Sequence, residues 1–240
     1  MTRSSEGRAF AVGVVILAAG RSARMGKPKL LLPWGKTTVL GHLIEQWRAL
    51  HSQQIAVVCA PGDQAIQAEM DRLGLPARSR IINPNPQCGM LSSIQCAARW
   101  PGWQPALTHW AIVLGDQPHL RRQTLRRVLR FSAAHPTKVC QPARRGHGRH
   151  PVLLPGLVFQ QLAGSAARTL KGFLAARRRR IAYCELDDPG LDVDIDRPED
   201  YQKAVLLGCG QPTAGTGSVR VLTDSASATN AAKYYRVQVQ

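Results

Sequence analysis

Residues 17–29 combine small side chains and cations in a pattern that suits polyphosphate binding. The segment reads Leu-Ala-Ala-Gly-Arg-Ser-Ala-Arg-Met-Gly-Lys-Pro-Lys and directly follows an apolar run. Its small residues are Ala18, Ala19 and Gly20, and its last cations are Arg24, Lys27 and Lys29. Small residues let a ligand approach the backbone N–H groups, which form an anion-binding concavity when consecutive in a turn. The cations add charge-assisted bonds to phosphate, so we expect a polyphosphate loop here.

This segment is neither of two well-known phosphate-binding loops. Gly26-Lys27 is followed by Pro28 and has no Gly five positions earlier, so GxxxxGK[ST] is absent. No GxGxxG occurs in the segment either, which argues against a dinucleotide fingerprint.

Carboxylates occur at two later places where they suit magnesium chemistry. Asp116 follows the apolar run 110–114, and Mg²⁺ on a triphosphate takes one or two carboxylates plus phosphate oxygens. Asp194 and Asp196 would point the same way in an extended segment. Each carboxylate has a simpler alternative, because Asp also caps helices and turns. Asp196 also precedes a predicted helix, which it could cap.

Strand-like and helix-like segments alternate along the chain and would position these residues. The predicted strands are 12–17, 55–59, 80–82, 110–114, 139–140, 151–154 and 181–186. The predicted helices are 37–50, 64–73, 92–99, 123–132, 156–162, 168–176 and 198–207. Repeated β–α units predict an α/β fold, a Rossmann-like mostly parallel sheet with helices on both faces. Ligands of such sheets sit beyond the carboxyl ends of the strands, where the loop and Asp116 are expected.

Five segments together resemble the MobA-like nucleotidyltransferases, a family that includes the molybdenum cofactor cytidylyltransferases. The pattern LAAGxSxRMGxxK is matched at every specified position of residues 17–29. Weaker similarities are GDxP at 115–118, D-[IV]-D-x-P-E-D around 192–200, GMxxS at 89–93 and His-Pro at 150–151. Arg197 stands where the family usually has Thr, which is a departure from the pattern. The resemblance covers roughly residues 11–207 and implies the nucleotide-diphospho-sugar transferase type of fold.

The resemblance implies a Mg²⁺-dependent transfer of a nucleotidyl group to a phosphorylated acceptor, with release of pyrophosphate. The implied nucleotide-binding residues are Leu17, Ala18, Ala19, Gly20, Arg24, Lys29, Gly89, Ser92 and Ser93. Arg24 would offset charge on the leaving pyrophosphate, and Lys29 would stabilise the α-phosphate. Asp116 and Asp194 would hold the metal, with Asp196 as the alternative to Asp194. His150 would lie on the acceptor side, although a lone loop His is equally compatible with a solvated surface residue.

The implied donor is CTP and the implied acceptor a molybdopterin-type cofactor. The guanylyltransferases of the family usually have the sequence LAGG at the positions where this chain has LAAG, residues 17–20. The alanine at position 19 therefore favours CTP as the donor. Two alternatives stay open: a guanylyl or other NTP transferase, and transfer to a sugar or alditol phosphate. For residues 89–93, a helix start with serine caps explains the pattern equally well.

The charge of the chain requires a separate explanation. Lys and Arg total 32 against 15 Asp and Glu, a formal net charge of +17. Between Gln117 and Ala182 there are 13 Arg and two Lys but no acid. This basic stretch suggests an anionic acceptor or an acidic partner protein, such as a molybdoenzyme or its chaperone. A nucleic-acid-binding protein is the alternative from another class, but no helix-turn-helix, zinc finger or RNP signature supports it.

Cysteine spacing and hydropathy suggest the setting of the protein. None of the six cysteines has CxxC spacing, so a zinc ribbon or thioredoxin-like motif is not supported, and a reduced cytoplasm is the default. The longest apolar run, Ala9–Ala19, is too short to span a bilayer, and its Val and Ile content favours a strand over a signal peptide. We divide the chain into an extension at 1–10, a nucleotidyltransferase domain at 11–207 and a flexible tail at 208–240, with a possible strand at 219–222.

Overall fold

A computed structural model of the protein describes residues 9–20 and 22–208. Most of the predicted extension and nearly all of the predicted tail, including the possible strand at 219–222, lie outside the described residues. The proposed domain boundaries therefore stay predictions.

An eight-stranded sheet organises the described residues. Its strands are β1 (Val12–Leu17), β4 (Gln54–Cys59), β5 (Arg80–Ile82), β6 (His109–Leu114), β7 (Val139–Arg144), β8 (His147–Gly148), β9 (Val152–Pro155) and β10 (Ile181–Glu185). The strand order is β10-β7-β9-β6-β1-β4-β5, and β8 pairs with β7 alone. A separate small hairpin pairs β2 (Pro33–Trp34) with β3 (Thr37–Thr38).

The long strands run in one direction except β9, which is antiparallel to both of its neighbours. The sheet is thus mostly parallel, as predicted. The side of the sheet at which β1, β4, β5, β6, β7 and β10 have their carboxyl ends is called the carboxyl edge below. The opposite edge, called the amino edge, carries their starts together with the end of β9.

Within residues 9–20 and 22–208, seven α-helices cover the sheet. They are α1 (Val39–Arg48), α2 (Gln64–Arg72), α3 (Met90–Arg99), α4 (Arg122–Ala134), α5 (Gly156–Leu162), α6 (Leu170–Ala175) and α7 (Pro198–Gly208). Apolar residues of α1, α2, α4 and α7 belong to one buried cluster, and those of α3, α5 and α6 belong to a second. Along β1, Val14 and Ile16 enter the first cluster while Val15 enters the second. This alternation places helices on both faces, which explains why β1 reads as a continuous apolar run.

Most elements differ from the sequence predictions at one or both ends, as three examples show. The predicted helix 37–50 begins only at Val39, because Thr38 caps α1 by accepting a hydrogen bond from the N–H of Gly41 at 3.0 Å. The helix predicted from Ser92 begins at Met90. The short strand β8 lies between the predicted strands 139–140 and 151–154, since β7 continues to Arg144 and turns back on itself.

Candidate active site

The loop after β1 folds back so that its two ends meet. The hydroxyl of Ser22 accepts a hydrogen bond from the N–H of Lys29 at 3.1 Å. Gly26 between them has φ +64°, a left-handed conformation that glycine adopts without strain. A short 3₁₀ turn at Lys29–Leu31 follows the closed loop. The fold-back brings Lys29 to the carboxyl edge of the sheet, beside the end of β6.

The structure corrects one part of the predicted anion-binding concavity. The N–H of Ala18 donates to the carbonyl of Val58 in β4 at 2.8 Å, and Ala18 is buried. Its amide is therefore committed to the sheet and cannot bind phosphate. Within the described residues, the amides of Ala19 and Gly20 make no such bond, and both residues line the adjoining cavities.

Lys29 and Asp116 form the central ion pair. The ammonium of Lys29 lies 2.7 Å from Asp116 Oδ2 and donates to the carbonyl of Ile195 at 3.2 Å. Both side chains are largely shielded, with 17% and 20% of their surface exposed. The other carboxylate oxygen, Asp116 Oδ1, is buried and has no hydrogen-bond partner among the described residues. A buried carboxylate oxygen without a partner is costly, and a bound cation would satisfy it.

The segment around residues 192–196 brings two further carboxylates to Asp116. Asp194 Oδ1 accepts a hydrogen bond from Gln117 Nε2 at 2.8 Å. Loss of hydration and the neighbouring charge of Asp116 raise the pKa of Asp194 above its ordinary value. Asp196 pairs instead with cations, at 3.1 Å from Arg24 Nη2 and 3.6 Å from Lys29 Nζ.

These carboxylates fit a metal ion that a phosphate ligand helps to bind. The described part of the chain contains no group of three or more His, Cys, Asp or Glu arranged to hold a metal on their own. Two carboxylates are nevertheless what Mg²⁺ requires when phosphate oxygens and water complete its shell. The unpartnered Asp116 Oδ1 and the uncompensated charge at Asp194 are the two groups suited to that role.

Two adjoining cavities flank the loop. One of about 280 Å³ is lined by Leu17, Ala19, Gly20, Lys29, Leu30, Pro86, Gly89, Met90, Ser93, Leu114, Gly115 and Asp116. The other, of about 370 Å³, is lined by Ala19, Gly20, Ser22, Gly26, Lys27, Pro28, Ala60 and Asp63. Ala19 and Gly20 line both. Most predicted nucleotide-binding residues are thus brought together, and Arg24 lies exposed nearby in its ion pair with Asp196.

The serines at the start of α3 are fixed by an asparagine that sequence reasoning missed. Asn83 Nδ2 donates to the hydroxyls of Ser92 and Ser93 at 2.8 and 2.9 Å. Ser92 also donates to the carbonyl of Gly89 and does not line the cavity, whereas Ser93 does. The N-cap of α3 is Gly89, and no side chain at this cap accepts a hydrogen bond from the first-turn amides, so the serine-cap interpretation is wrong.

Two further residues belong to the description of the site. His150 Nδ1 lies 3.4 Å from the carbonyl of Ile112 in β6. Burial lowers the pKa of His150, although the charge of Asp116 acts in the opposite sense, so the imidazole is neutral at pH 7. Gln117 was not predicted, although it directly follows Asp116. A search for polar side chains immediately after each strand would have found both Gln117 and Asn83, which follows β5.

Comparison with known proteins identifies the class. The family described as "MobA-like NTP transferase domain" matches residues 14–181, so the chain belongs to this family and is a nucleotidyltransferase. It is 27% identical over 195 residues to the molybdenum cofactor cytidylyltransferase of Escherichia coli K12, covering 80% of this chain and 94% of that one.

Similar solved structures have the same fold, and one of them contains manganese. The crystal structure of Rv0371c from Mycobacterium tuberculosis H37Rv has a TM-score of 0.65 and 25% identity, covering 82% of this chain and 98% of that chain. A crystal structure of Rv0371c in complex with manganese has a TM-score of 0.61 and 26% identity over the same shares. The predicted fold class is confirmed, and a divalent metal is bound by a relative.

Among the helices of the described residues, none is long and apolar enough to cross a membrane.

Proposed function

We propose that the protein transfers CMP from CTP to a molybdopterin-type acceptor in a Mg²⁺-dependent reaction. One observation carries this proposal: Lys29 pairs with Asp116 beside a cavity walled by the loop after β1, and Asp194 is held by Gln117, the residue next to Asp116. The similarity to a molybdenum cofactor cytidylyltransferase over 94% of that protein supports the choice of donor and acceptor.

Different walls of the two cavities would contact different parts of the nucleotide. Leu17, Met90 and Leu114 present apolar surface to the base and ribose. The amides of Ala19 and Gly20 would bind phosphate oxygens where the two cavities adjoin, and the exposed Lys27 would add charge there. Ala19 stands where the guanylyl members of the family usually have Gly, and this difference supports CTP as the donor.

The reaction needs positioning and charge neutralisation more than a strong base. A phosphate oxygen of the acceptor attacks the α-phosphorus, the bond to the bridging oxygen of the β-phosphate breaks, and pyrophosphate leaves. Lys29 would donate hydrogen bonds to the α-phosphate as charge develops, and Arg24 would balance the departing pyrophosphate. When bound, Mg²⁺ supplies further charge neutralisation between the phosphates, with Asp116 and Asp194 as its protein ligands.

His150 is the proposed contact on the acceptor side. It precedes β9, across the end of β6 from the loop, and its neutral imidazole offers one donor and one acceptor. We further propose a cytoplasmic setting. The free thiols of Cys59, Cys88, Cys96, Cys140 and Cys184 are typical of a reducing compartment.

A nucleotide panel read out by thermal unfolding tests the donor. At about 100 times its Kd, a ligand that binds only the folded state stabilises it by about 2.7 kcal/mol, a rise of about 5–10 °C in Tm. We expect CTP with Mg²⁺ to give the largest rise and CTP alone a smaller one. An equal response to all four nucleoside triphosphates would contradict the choice of CTP.

Matched substitutions of two neighbouring carboxylates, Asp194 and Asp196, test which of them binds the metal ion. In Asp194→Asn the difference between CTP with and without Mg²⁺ should disappear. In Asp196→Asn that difference should remain, because Asp196 is already engaged by Arg24 and Lys29. The reverse outcome would make Asp196 the metal ligand.

A further inference from the structure

The amino edge of the sheet carries two adjoining hollows far from the candidate active site. The larger hollow has a volume of about 1180 Å³ and lies around the start of β6 and the end of β9. The smaller, of about 420 Å³, lies at the start of β1. Phe10 and Ala133 line both, so they form one continuous surface, called the amino-edge groove below. A six-residue strand separates it from the nucleotide cavity by roughly 17–20 Å.

The groove has an apolar floor. Leu157 is 75% exposed in the larger hollow, and Leu50 and Leu129 line the smaller one. The aromatic rings of the larger hollow are already packed against one another. Trp103 meets Trp100 edge to face at 4.9 Å, and its Nε1 donates to a backbone carbonyl. These rings are therefore not free platforms for stacking on nucleic-acid bases.

All formal charge lining the groove is positive. Lys138 and Arg180 border the larger hollow, and Arg126 and Arg130 border the smaller one, while no Asp or Glu lines either. None of these four side chains forms an ion pair with any described residue. Lys138 alone is partly committed, through a hydrogen bond to the carbonyl of Arg179.

The chain itself offers no segment of complementary charge for this groove. Residues 1–8 contain one acid and two Arg, and residues 209–240 contain one acid and three cations. A second copy carries the same net charge of +17. The acids of the chain concentrate instead in 185–200, at the carboxyl edge. In a second copy, Asp192 and Asp196 of that segment are already paired with cations of their own chain, which favours a different molecule as the source of the complementary charge.

We propose that the amino-edge groove is a docking surface for an acidic segment of a partner protein that also carries apolar side chains. Carboxylates of the segment pair with Arg126, Arg130, Lys138 and Arg180, and its apolar residues cover the floor around Leu157. The proposal does not depend on the identity of the nucleotide or of the acceptor, because the groove and the catalytic cavities are at opposite edges.

A labelled peptide tests the groove directly. The probe is a fluorescein peptide of about ten residues, roughly 33 Å when extended, in which glutamates surround two Phe-Leu pairs. We expect it to bind the wild-type chain and to alter tryptophan fluorescence, since Trp100 and Trp103 line the groove. Saturating CTP and Mg²⁺ should not displace it. Displacement by the nucleotide would place the peptide in the catalytic cavity and overturn the proposal.

Charge-reversal variants localise the binding. Arg126→Glu/Arg130→Glu and Lys138→Glu/Arg180→Glu should each weaken peptide affinity about tenfold or more, and Leu157→Gln should weaken it several-fold. The matched control is Arg168→Glu/Lys171→Glu, two exposed cations that do not line the groove, which should change affinity less than twofold. Equal effects from groove and control variants would mean that only net charge matters, which overturns the proposal.

Two competitors exclude other occupants. An all-glutamate peptide of the same length should bind more weakly, because it cannot cover the apolar floor; equal affinity would overturn the docking of an apolar segment. A single-stranded oligonucleotide of equal charge should also bind more weakly. Tighter binding of the oligonucleotide, lost in the groove variants, would reassign the surface to nucleic acid.

Discussion

At the scale of single residues, Lys29 and Asp116 are the most informative pair. The sequence predicts that Lys29 binds phosphate and that Asp116 binds a metal ion. It does not predict that the two side chains contact each other. They lie 87 positions apart in the chain, and only the register between β1 and β6 brings them together. Residue type and local position therefore predict the chemistry of each side chain, whereas pairing across the sheet requires the folded structure.

Lys29 should compete with a metal ion for Asp116. In Lys29→Met the carboxylate loses its cation, so the free protein should bind Mn²⁺ or Mg²⁺ about tenfold more tightly. Turnover should nevertheless fall on the order of 100-fold, because charge at the α-phosphate is no longer balanced. Calorimetric titration and steady-state kinetics measure the two effects.

Lys27→Met is the control for this change. It removes a cation from the same loop, but the exposed Lys27 is not among the partners of Asp116. Metal affinity in that variant should stay at the wild-type value. If both variants changed metal affinity alike, the direct competition at Asp116 would be refuted.

At the scale of elements, strands with continuous apolar runs were predicted most accurately. The bounds predicted for β1, β5 and α5 agree with the structure at every residue. Strand β8 was missed because its two residues, His147 and Gly148, are exposed and carry no apolar pattern. The start of α3 was missed because Gly89 caps it through backbone conformation, with φ +87°, which Ser92 and Ser93 do not reveal. Short pairings and backbone caps leave little trace in hydrophobic periodicity.

The junction between β6 and the loop requires a glycine. A Cβ at Gly115 would lie 2.7 Å from the carbonyl oxygen of Leu17 and 2.7 Å from Leu30 Cδ2. Gly115→Ala should therefore cost about 1–3 kcal/mol of unfolding free energy and weaken nucleotide binding, because Leu17 and Leu30 line the cavity. Gly164→Ala, where a Cβ meets open space, should stay within about 0.5 kcal/mol. Denaturant unfolding measures both, and equal costs would contradict the close approach at Gly115.

Helices α1 and α2 are joined by a buried carboxylate. Glu69 accepts hydrogen bonds from the hydroxyl of Thr38 at 2.6 Å and from two nitrogens of Arg72 at 2.7 Å. The bonds from Arg72, followed by that from Thr38, lower the pKa of Glu69 against the opposing effect of burial. A depressed folded-state pKa adds stability above the unfolded value of about 4.3, and this stability is lost as pH falls through the folded pKa.

The Glu69→Gln variant should reproduce that pH dependence. At pH 7 it should be less stable than the wild type by about 1 kcal/mol. The difference should shrink as pH drops below about 4, where the wild-type carboxyl also becomes protonated. Urea unfolding at several pH values measures it. A difference that stays constant down to low pH would show that the charge of Glu69 does not stabilise the fold.

At the scale of the whole molecule, the charge separates into two regions. Residues 185–200 supply eight of the 15 acids, and one of these, Asp196, pairs with Arg24 and Lys29 at the carboxyl edge. The acid-free stretch between 117 and 182 instead supplies the cations of the amino-edge groove. The sequence predicted both regions, but their placement at opposite edges follows only from the direction of the strands. The net charge therefore carries no information about the nucleotide.

This separation predicts weak and nonspecific binding to nucleic acid. Affinity for a random DNA duplex should fall steeply with salt and become negligible near physiological ionic strength, because it would rest on phosphate neutralisation alone. Fluorescence anisotropy over a salt series measures it. Tight binding that persisted near 150 mM salt would revive the nucleic-acid-binding alternative.

Transfer of a radiolabel from CTP to the acceptor would show the proposed reaction itself. CTP labelled at the α-phosphate is incubated with Mg²⁺, a molybdopterin acceptor and either the wild-type chain or Asp116→Asn, with Glu185→Gln as an exposed control carboxylate. The label should move to the acceptor with release of one pyrophosphate per transfer, at wild-type rate in the control and on the order of 100-fold slower in Asp116→Asn. Undiminished transfer by Asp116→Asn, or transfer from GTP in preference to CTP, would contradict the account.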